Sequence, residues 1–254
     1  AWGTSGAAAD SQAPGGDHVS PPAAAYFIAG TDTSVGKTRV TTALLRVMRQ
    51  SGLKVAGMKP VAAGAKQHNN RWINEDAVLI ASSSGQLTPY EQLNPYCLPD
   101  PLSPHIAADR AGINIDLGVI RRHFDDIRAN HDLTLVEGAG GWLAPVSLDQ
   151  TMADVAIRLE LPVVLVVGIR LGALNHAQLT YRAIRESGLK FTGWIGSVLQ
   201  NEFPALPENL KLLEHVLCGP ALAVLPYCES TAADERHLAP AAEQLAAAAV
   251  TVSR

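Results

Sequence analysis

The feature that most constrains this chain is a junction. The short apolar run YFIAG (Tyr26 to Gly30) passes straight into TDTSVGKT (Thr31 to Thr38), and an amphipathic stretch follows at once. The run reads as a buried strand and KTRVTTALLRVMRQSG as a helix, with Leu44, Leu45, Val47 and Met48 on its inner face and Gly52 near its stop. A Gly-Lys-Thr set between strand and helix gathers several backbone N–H groups and the positive end of a helix dipole around one small volume, which suits a phosphate. In that setting Gly36 lets the main chain approach the phosphates, Lys37 reaches the β and γ groups, and the Thr38 hydroxyl can enter a Mg²⁺ shell. The usual spacing is missed by one residue, because Thr31 stands where the first glycine is expected. The competing reading makes Lys37 a solvated lysine on a first helical turn.

The remaining chain alternates in the same way. LKVAGMKPVA reads as a second strand, NEDAVLIASSSG as a short helix, and the proline-crowded segment from Gln86 to His105 as a long loop. DLGVIRRHFDDIRANH is expected to be helical, and DLTLVEGAGG is a strand running into a glycine turn. LPVVLVVGIR has the composition of a central parallel strand buried on both faces. A helix from about Ala173 to Glu186, a strand near FTGWIGSVL, a helix around Leu210 to Val216 and a strand ALAVLP complete the series. The expected fold is therefore α/β, a three-layer, doubly wound and mostly parallel sheet flanked by helices, of the P-loop NTPase type. Ligands of such sheets gather at the carboxyl ends of the strands.

Composition narrows the partners. The formal net charge is only −4 and there is no basic block, so the footprint of a nucleic-acid or anionic-lipid binder is missing and a small-molecule partner is expected. Cys97, Cys218 and Cys228 show neither a disulfide framework nor zinc-ligand spacing, which fits a reducing cytoplasm. Residues 1–24, rich in Ala, Gly, Pro and Ser, are expected to be a disordered tail or the remnant of a tag, without the pattern of a signal peptide, and 25–254 a single domain. No apolar run approaches the roughly 20 residues that span a bilayer.

Two further clusters carry chemistry. In MKPVAAG, Lys59 stands at the end of the second expected strand, stiffened by Pro60; it is either an ordinary surface lysine or a second cation facing the mouth that holds Lys37. Glu137, in LVEGAGG, is an acid ending a buried strand, where it needs a partner, and a metal-bound nucleotide would supply one. Asp76, in NEDA, suits either a metal or simply the positive end of a helix. The eight histidines form no HxxxH pair and there is no GxSxG elbow, so no serine-hydrolase nucleophile is available.

Together, GTDTSVGKT, KPVAAG, NPYCLPDPLSPHIAA, VEGAGGW and VVLVVGIRLGALNHA stand in the order and spacing of the dethiobiotin synthetases, and the chain resembles that family from roughly Tyr26 to Pro226. The resemblance implies a cytoplasmic homodimer of biotin synthesis that joins CO₂ (or bicarbonate) to 7,8-diaminopelargonic acid with ATP and Mg²⁺. It implies that Thr31, Asp32, Ser34, Val35, Gly36, Lys37 and Thr38 cradle the nucleotide, with Ser197 and Pro226 beside it. Lys37, Lys59 and Thr33 would be catalytic, and Thr38, Asp76 and Glu137 would hold Mg²⁺. Thr33, Lys59, Ala63, Gly138, Leu143, Pro145, Gly172 and Asn175 would contact the substrate, the last two across the dimer interface. Two positions depart from the family. Ala63 replaces a common serine, and Ser197 replaces a base-reading asparagine, so CTP or GTP is expected to be accepted alongside ATP.

Two other classes share these features. A partition-type switch ATPase usually carries a further lysine early in the loop, where this chain has Asp32. The synthetase portion of a glutamine-dependent amidating enzyme needs an appended amidotransferase with a catalytic cysteine, for which this chain leaves no room.

Overall fold

The computed structural model describes residues 23–85, 88–227 and 232–251. Its elements are β1 (Ala24–Gly30), α1 (Lys37–Gln50), β2 (Val55–Met58), β3 (Val61–Ala63), β4 (Lys66–His68), β5 (Arg71–Ile73), α2 (Glu75–Ser84), α3 (Tyr90–Leu93), β6 (Tyr96–Leu98), α4 (Pro104–Arg110), α5 (Leu117–Arg128) and β7 (Leu133–Glu137). They continue with α6 (Met152–Leu159), β8 (Val163–Ile169), α7 (Ala173–Glu186), β9 (Phe191–Val198), α8 (Leu206–Val216), β10 (Ala223–Leu225) and α9 (Ala232–Thr251). Six strands form one parallel sheet in the order β10-β9-β8-β1-β7-β2. β1 lies inside it, between β7 and β8, so the loop that leaves its end opens over the middle of the sheet.

Strand alternation builds two cores. Phe27 and Ala29 of β1, with Val163, Leu165 and Val167 of β8, face α5, α6 and α7 through Ile120, Phe124, Val155, Leu159 and Ala177. Tyr26 and Ile28, with Val164 and Val166, face α1, α2 and α9, where Leu44, Leu45, Met48, Ile80, Leu238 and Leu245 are buried. The four inner-face residues expected on α1 are all buried.

Three expectations need correction. LKVAGMKPVA is two strands. Pro60 has no N–H to continue the ladder, so the chain leaves β7 after Met58, which pairs with Val136, and β3 joins β6 instead. The expected loop from Gln86 to His105 contains α3, β6 and the start of α4; these pieces are too short to carry a periodic signal and are held by tertiary bonds such as Lys59 N–H to Leu93 O (2.9 Å). Gln86 and Leu87 lie outside the described residues. The helix around Leu210 begins four residues earlier, at Leu206.

Beyond the expected loop, most of α4, together with α6, α9 and the two strands of the β4–β5 hairpin, also went unanticipated; the hairpin's tip residues Asn69 and Asn70 both take positive φ, as a tight two-residue turn requires. β1 takes in Ala24, the last residue of the expected tail, and residues 1–22 lie outside the described residues. Cys97 and Cys218 are free, and Cys228 lies outside the described residues. No described helix is long and apolar enough to cross a membrane.

Candidate active site

Local geometry forces the loop between β1 and α1 to be built as it is. Gly36 caps α1 at φ +93°, and a Cβ there would come within 2.7 Å of Ser197 Oγ, so both conformation and space require glycine. Ser34 is also left-handed, at φ +58°. Thr31 N–H donates to Val166 O at 3.0 Å, and Val35 packs against Gly168, fastening the loop to β8. Lys37 folds back over this frame and donates to Gly140 O (2.6 Å) and Asp32 O (3.0 Å). It is buried, and burial together with the nearby charge of Lys59 lowers its pKa to about 8.

The neighbouring strands bring the other charges. β7 lies beside β1 with Glu137 opposite Ile28, and β2 lies beside β7, so Glu137 and Lys59 leave adjacent strand ends. Glu137 has no solvent exposure; its Oε1 accepts from Lys59 Nζ (2.6 Å) and Thr38 Oγ1 (2.8 Å), while its Oε2 has no hydrogen-bond partner. Asp76 sits in the first turn of α2, where its Oδ2 is 3.3 Å from Lys59 Nζ. Burial alone would lower the Lys59 pKa, but Glu137 and Asp76 outweigh it and hold the ammonium above its ordinary value. A cavity of about 300 Å³ is lined by Thr33, Ser34, Gly36, Lys37, Thr38, Arg39, Lys59, Asp76 and Gly140.

The structure thus gathers Thr33, Lys37, Thr38, Lys59 and Asp76 around one cavity, with Glu137 behind them. Gly138 borders the cluster, with its carbonyl 3.4 Å from Lys59 Nζ. Asp32 is engaged on both oxygens, by Thr33 N–H (2.7 Å) and by Arg170 (2.6 Å). Ser197 is buried at the end of β9, its hydroxyl facing Gly36 and unpartnered. Pro226 O accepts from Arg39 at 3.0 Å, and Ala63 O accepts from Asn74 at 3.2 Å. Leu143, Pro145, Gly172 and Asn175 do not line this cavity; Leu143 and Asn175 are exposed, and Gly172 caps α7 at φ +93°.

Sequence reasoning missed Gly140, Arg39 and Arg170. Gly140 acts through its carbonyl, which no side-chain pattern announces, though the GAGG turn marked the place. Arg39 and Arg170 find partners far along the chain, Asp234 and Asp32, and nothing in the sequence joins them.

A parallel α/β sheet with a phosphate-type loop at the end of an inner strand, two buried lysines and a strand-end carboxylate is the arrangement of a P-loop nucleotide-binding protein. A family model described as an AAA domain matches residues 24–235. Curated relatives are the ATP-dependent dethiobiotin synthetases BioD of Nitrosospira multiformis (46% identity over 202 residues, 80% of this chain and 88% of that one) and of Aromatoleum aromaticum (45% over 203 residues, 80% and 90%). That of Xanthomonas oryzae pv. oryzae is 42% identical over 209 residues, 82% and 92% of the two chains. The chain belongs to the dethiobiotin synthetase family, and it is an ATP-dependent ligase of biotin biosynthesis.

Among solved structures, the MinD cell division protein of Aquifex aeolicus is similar at TM-score 0.54 and 14% identity, covering 90% of this chain and 97% of that one. The septum site-determining protein MinD complexed with Mg-ADP from Pyrococcus horikoshii OT3 gives 0.54 and 16%, covering 91% and 99%. At these identities the likeness is one of fold alone. The switch-ATPase reading is set aside by the family membership.

Proposed function

We propose that the cavity between Lys37 and Lys59 is where CO₂, 7,8-diaminopelargonic acid and the γ-phosphoryl group of ATP meet. The observation that carries this is the delivery of both ammonium groups, one from the start of α1 and one from the end of β2, to one pocket backed by Glu137. One amine of the substrate takes up CO₂ as a carbamate, a carbamate oxygen attacks the γ-phosphorus, and ADP leaves. The second amine then attacks the carbamate carbon, closing the ureido ring and expelling phosphate. Neither step needs a protein nucleophile. Both need oxygens held in line and negative charge cancelled.

Lys37 would neutralise the transferring phosphoryl group, and Lys59 would sit beside carbamate and γ-phosphate. The amides from Thr31 to Thr38 would cradle the remaining phosphates, with Asp32 holding the Thr33 amide in place and Ser34 and Val35 completing the turn. Thr33 would touch the substrate. The unpartnered Oε2 of Glu137, with the Thr38 hydroxyl and Asp76, offers the hard oxygen donors that Mg²⁺ prefers. Thr38, Asp76 and Glu137 would hold the ion, which would supply positive charge to offset that of the phosphates during phosphoryl transfer.

Ala63, Gly138, Leu143 and Pro145 would line the substrate's path, and Gly172 and Asn175 would meet its carboxylate tail from the second subunit of a homodimer, each chain acting as one domain from residue 25. Pro226 and Ser197 would border the base. A serine hydroxyl cannot make the paired contacts of an amide, so CTP and GTP should support turnover at rates comparable to ATP; turnover with ATP alone would count against this. The primary experiment is ADP release with purified enzyme. It should require both bicarbonate and the diamine, and ADP release independent of either would reject the assignment.

A further inference from the structure

The spacing between Lys59 and Asp76 is not set by either residue. Each is delivered by a different segment, Lys59 by the turn after β2 and Asp76 by the first turn of α2, and one phenol bridges the backbones of the two segments. Tyr90 Oη accepts from the N–H of Asn74 (2.8 Å) and donates to Asn94 Oδ1 (3.0 Å). Asn94 Nδ2 in turn donates to the carbonyl of Lys59 itself (2.7 Å). Asn74 is the N-cap of α2; its Oδ1 accepts from Ala77 N–H (3.2 Å) and its Nδ2 donates to Ala63 O (3.2 Å). A second tie runs from Lys59 N–H to Leu93 O, one residue before Asn94. Asn74 and Asn94 are buried, so neither amide has water to fall back on.

We propose that Tyr90 is a positioning residue for the reaction, its hydroxyl fixing Lys59 relative to Asp76 by bridging the N-cap of α2 to the backbone of Lys59. Tyr90 is not among the residues that line the cavity; it acts through Asn94 on one side and Asn74 on the other. Burial pushes its phenol pKa up, so the proton donated to Asn94 stays in place across the working range. Cys97 Sγ, 3.6 Å from the hydroxyl, is a weak additional partner. The short helix α3, only four residues long, thereby gains a clear purpose, since it presents Tyr90 and Asn94 on the same bracket.

The inference rests on the proposed role of Lys59, so Lys59→Ala is measured alongside. In Tyr90→Phe the ring remains and only the bridging oxygen is lost. Turnover is measured well below the thermal midpoint, where a melt of the same sample shows the chain fully folded. The expected result is a kcat at least about tenfold lower with the KM for ATP within about twofold of the parent, since the phosphate loop is untouched. A purely structural tyrosine predicts parental kcat under those conditions, and that result would sink the proposal. Should Tyr90→Phe not fold, Asn94→Asp carries the test, because its carboxylate still accepts from the phenol but cannot donate to Lys59 O; the same split in kcat and KM is expected, and its absence counts against the bridge. Parental kcat in Lys59→Ala would instead remove the role of Lys59, whereas an inactive Lys59→Ala beside a fully active Tyr90→Phe rejects Tyr90 alone.

Discussion

Burying Lys37 has a consequence that pH can read. Its folded value, about 8, lies below the ordinary 10.5, so the unfolded chain holds more protons between those values and the fold gains stability as pH rises through that window. Nucleotide binding runs the other way, because a triphosphate favours the charged ammonium. Above pH 8 binding should take up close to one proton, and affinity should fall as pH climbs further. Calorimetry at pH 9 in buffers of different ionisation enthalpy measures that uptake directly, and its absence would place the Lys37 value near that of a free lysine. Removing the two lysines should separate their roles: Lys37→Ala abolishes measurable turnover with the fold intact, while Lys59→Ala lowers kcat by roughly 10²–10³ and changes nucleotide affinity far less. Steady-state kinetics with nucleotide titration check both. At this scale the sequence singled out Lys37, Thr38 and Glu137 because each sits where an element begins or ends. It left Lys59 and Asp76 each open between two readings, since a charge at a strand or helix end looks the same whether it meets water or a buried partner. Gly140 and Tyr90 were invisible: one acts through its backbone, and the other only through residues it happens to face.

Among the elements, α9 shows how a tertiary partner makes a helix that its own residues barely advertise. Its buried stripe is Leu238, Ala241, Ala242 and Leu245, mostly small side chains, and Pro240 interrupts its backbone bonding. What holds its start to α1 is charge. Arg39 grips Asp234 through both carboxylate oxygens (2.7 and 2.5 Å), and Arg46 pairs with Glu235 at 2.6 Å. Asp234 is buried and Arg39 is 20% exposed, so the loss falls below that of a fully buried pair. Asp234→Ala should cost about 2 kcal/mol and lower the melting temperature by roughly 4–8 °C. A shift under one degree would mean that the apolar stripe suffices. The same clamp holds Pro226 O, so the KM for nucleotide should rise in this variant as well. By contrast, α1, α5 and α7 were legible because each has enough large apolar residues at period 3.6 to declare its buried face, and the six sheet strands because each lies within an apolar run bounded by turn or helix signals. α3, β3 and β6 are three or four residues long, too short to show any period.

For the whole molecule, two large apolar side chains stand out in solvent. Leu171 is 91% exposed next to Gly172, and Leu148 is 96% exposed on a cavity it shares with Ile106 and Ile113. If the proposed dimer covers Leu171, then Leu171→Glu should halve the mass seen by sedimentation, leave the melt of the chain nearly unchanged and raise the KM for the diamine. An unaltered mass would place the interface elsewhere. By itself the sequence determined the layer architecture, the phosphate loop and the family, because periodicity, the glycine-lysine-threonine junction and linked motifs are all local in the chain. The tertiary structure alone decided that Lys59 turns inward to Glu137, that Lys37 lies against Gly140, and that a phenol from the supposed loop ties the two halves of the site. Those pairings join residues 78, 103 and 16 positions apart, and only strand order and packing, not any local preference, bring such distant groups within bonding distance.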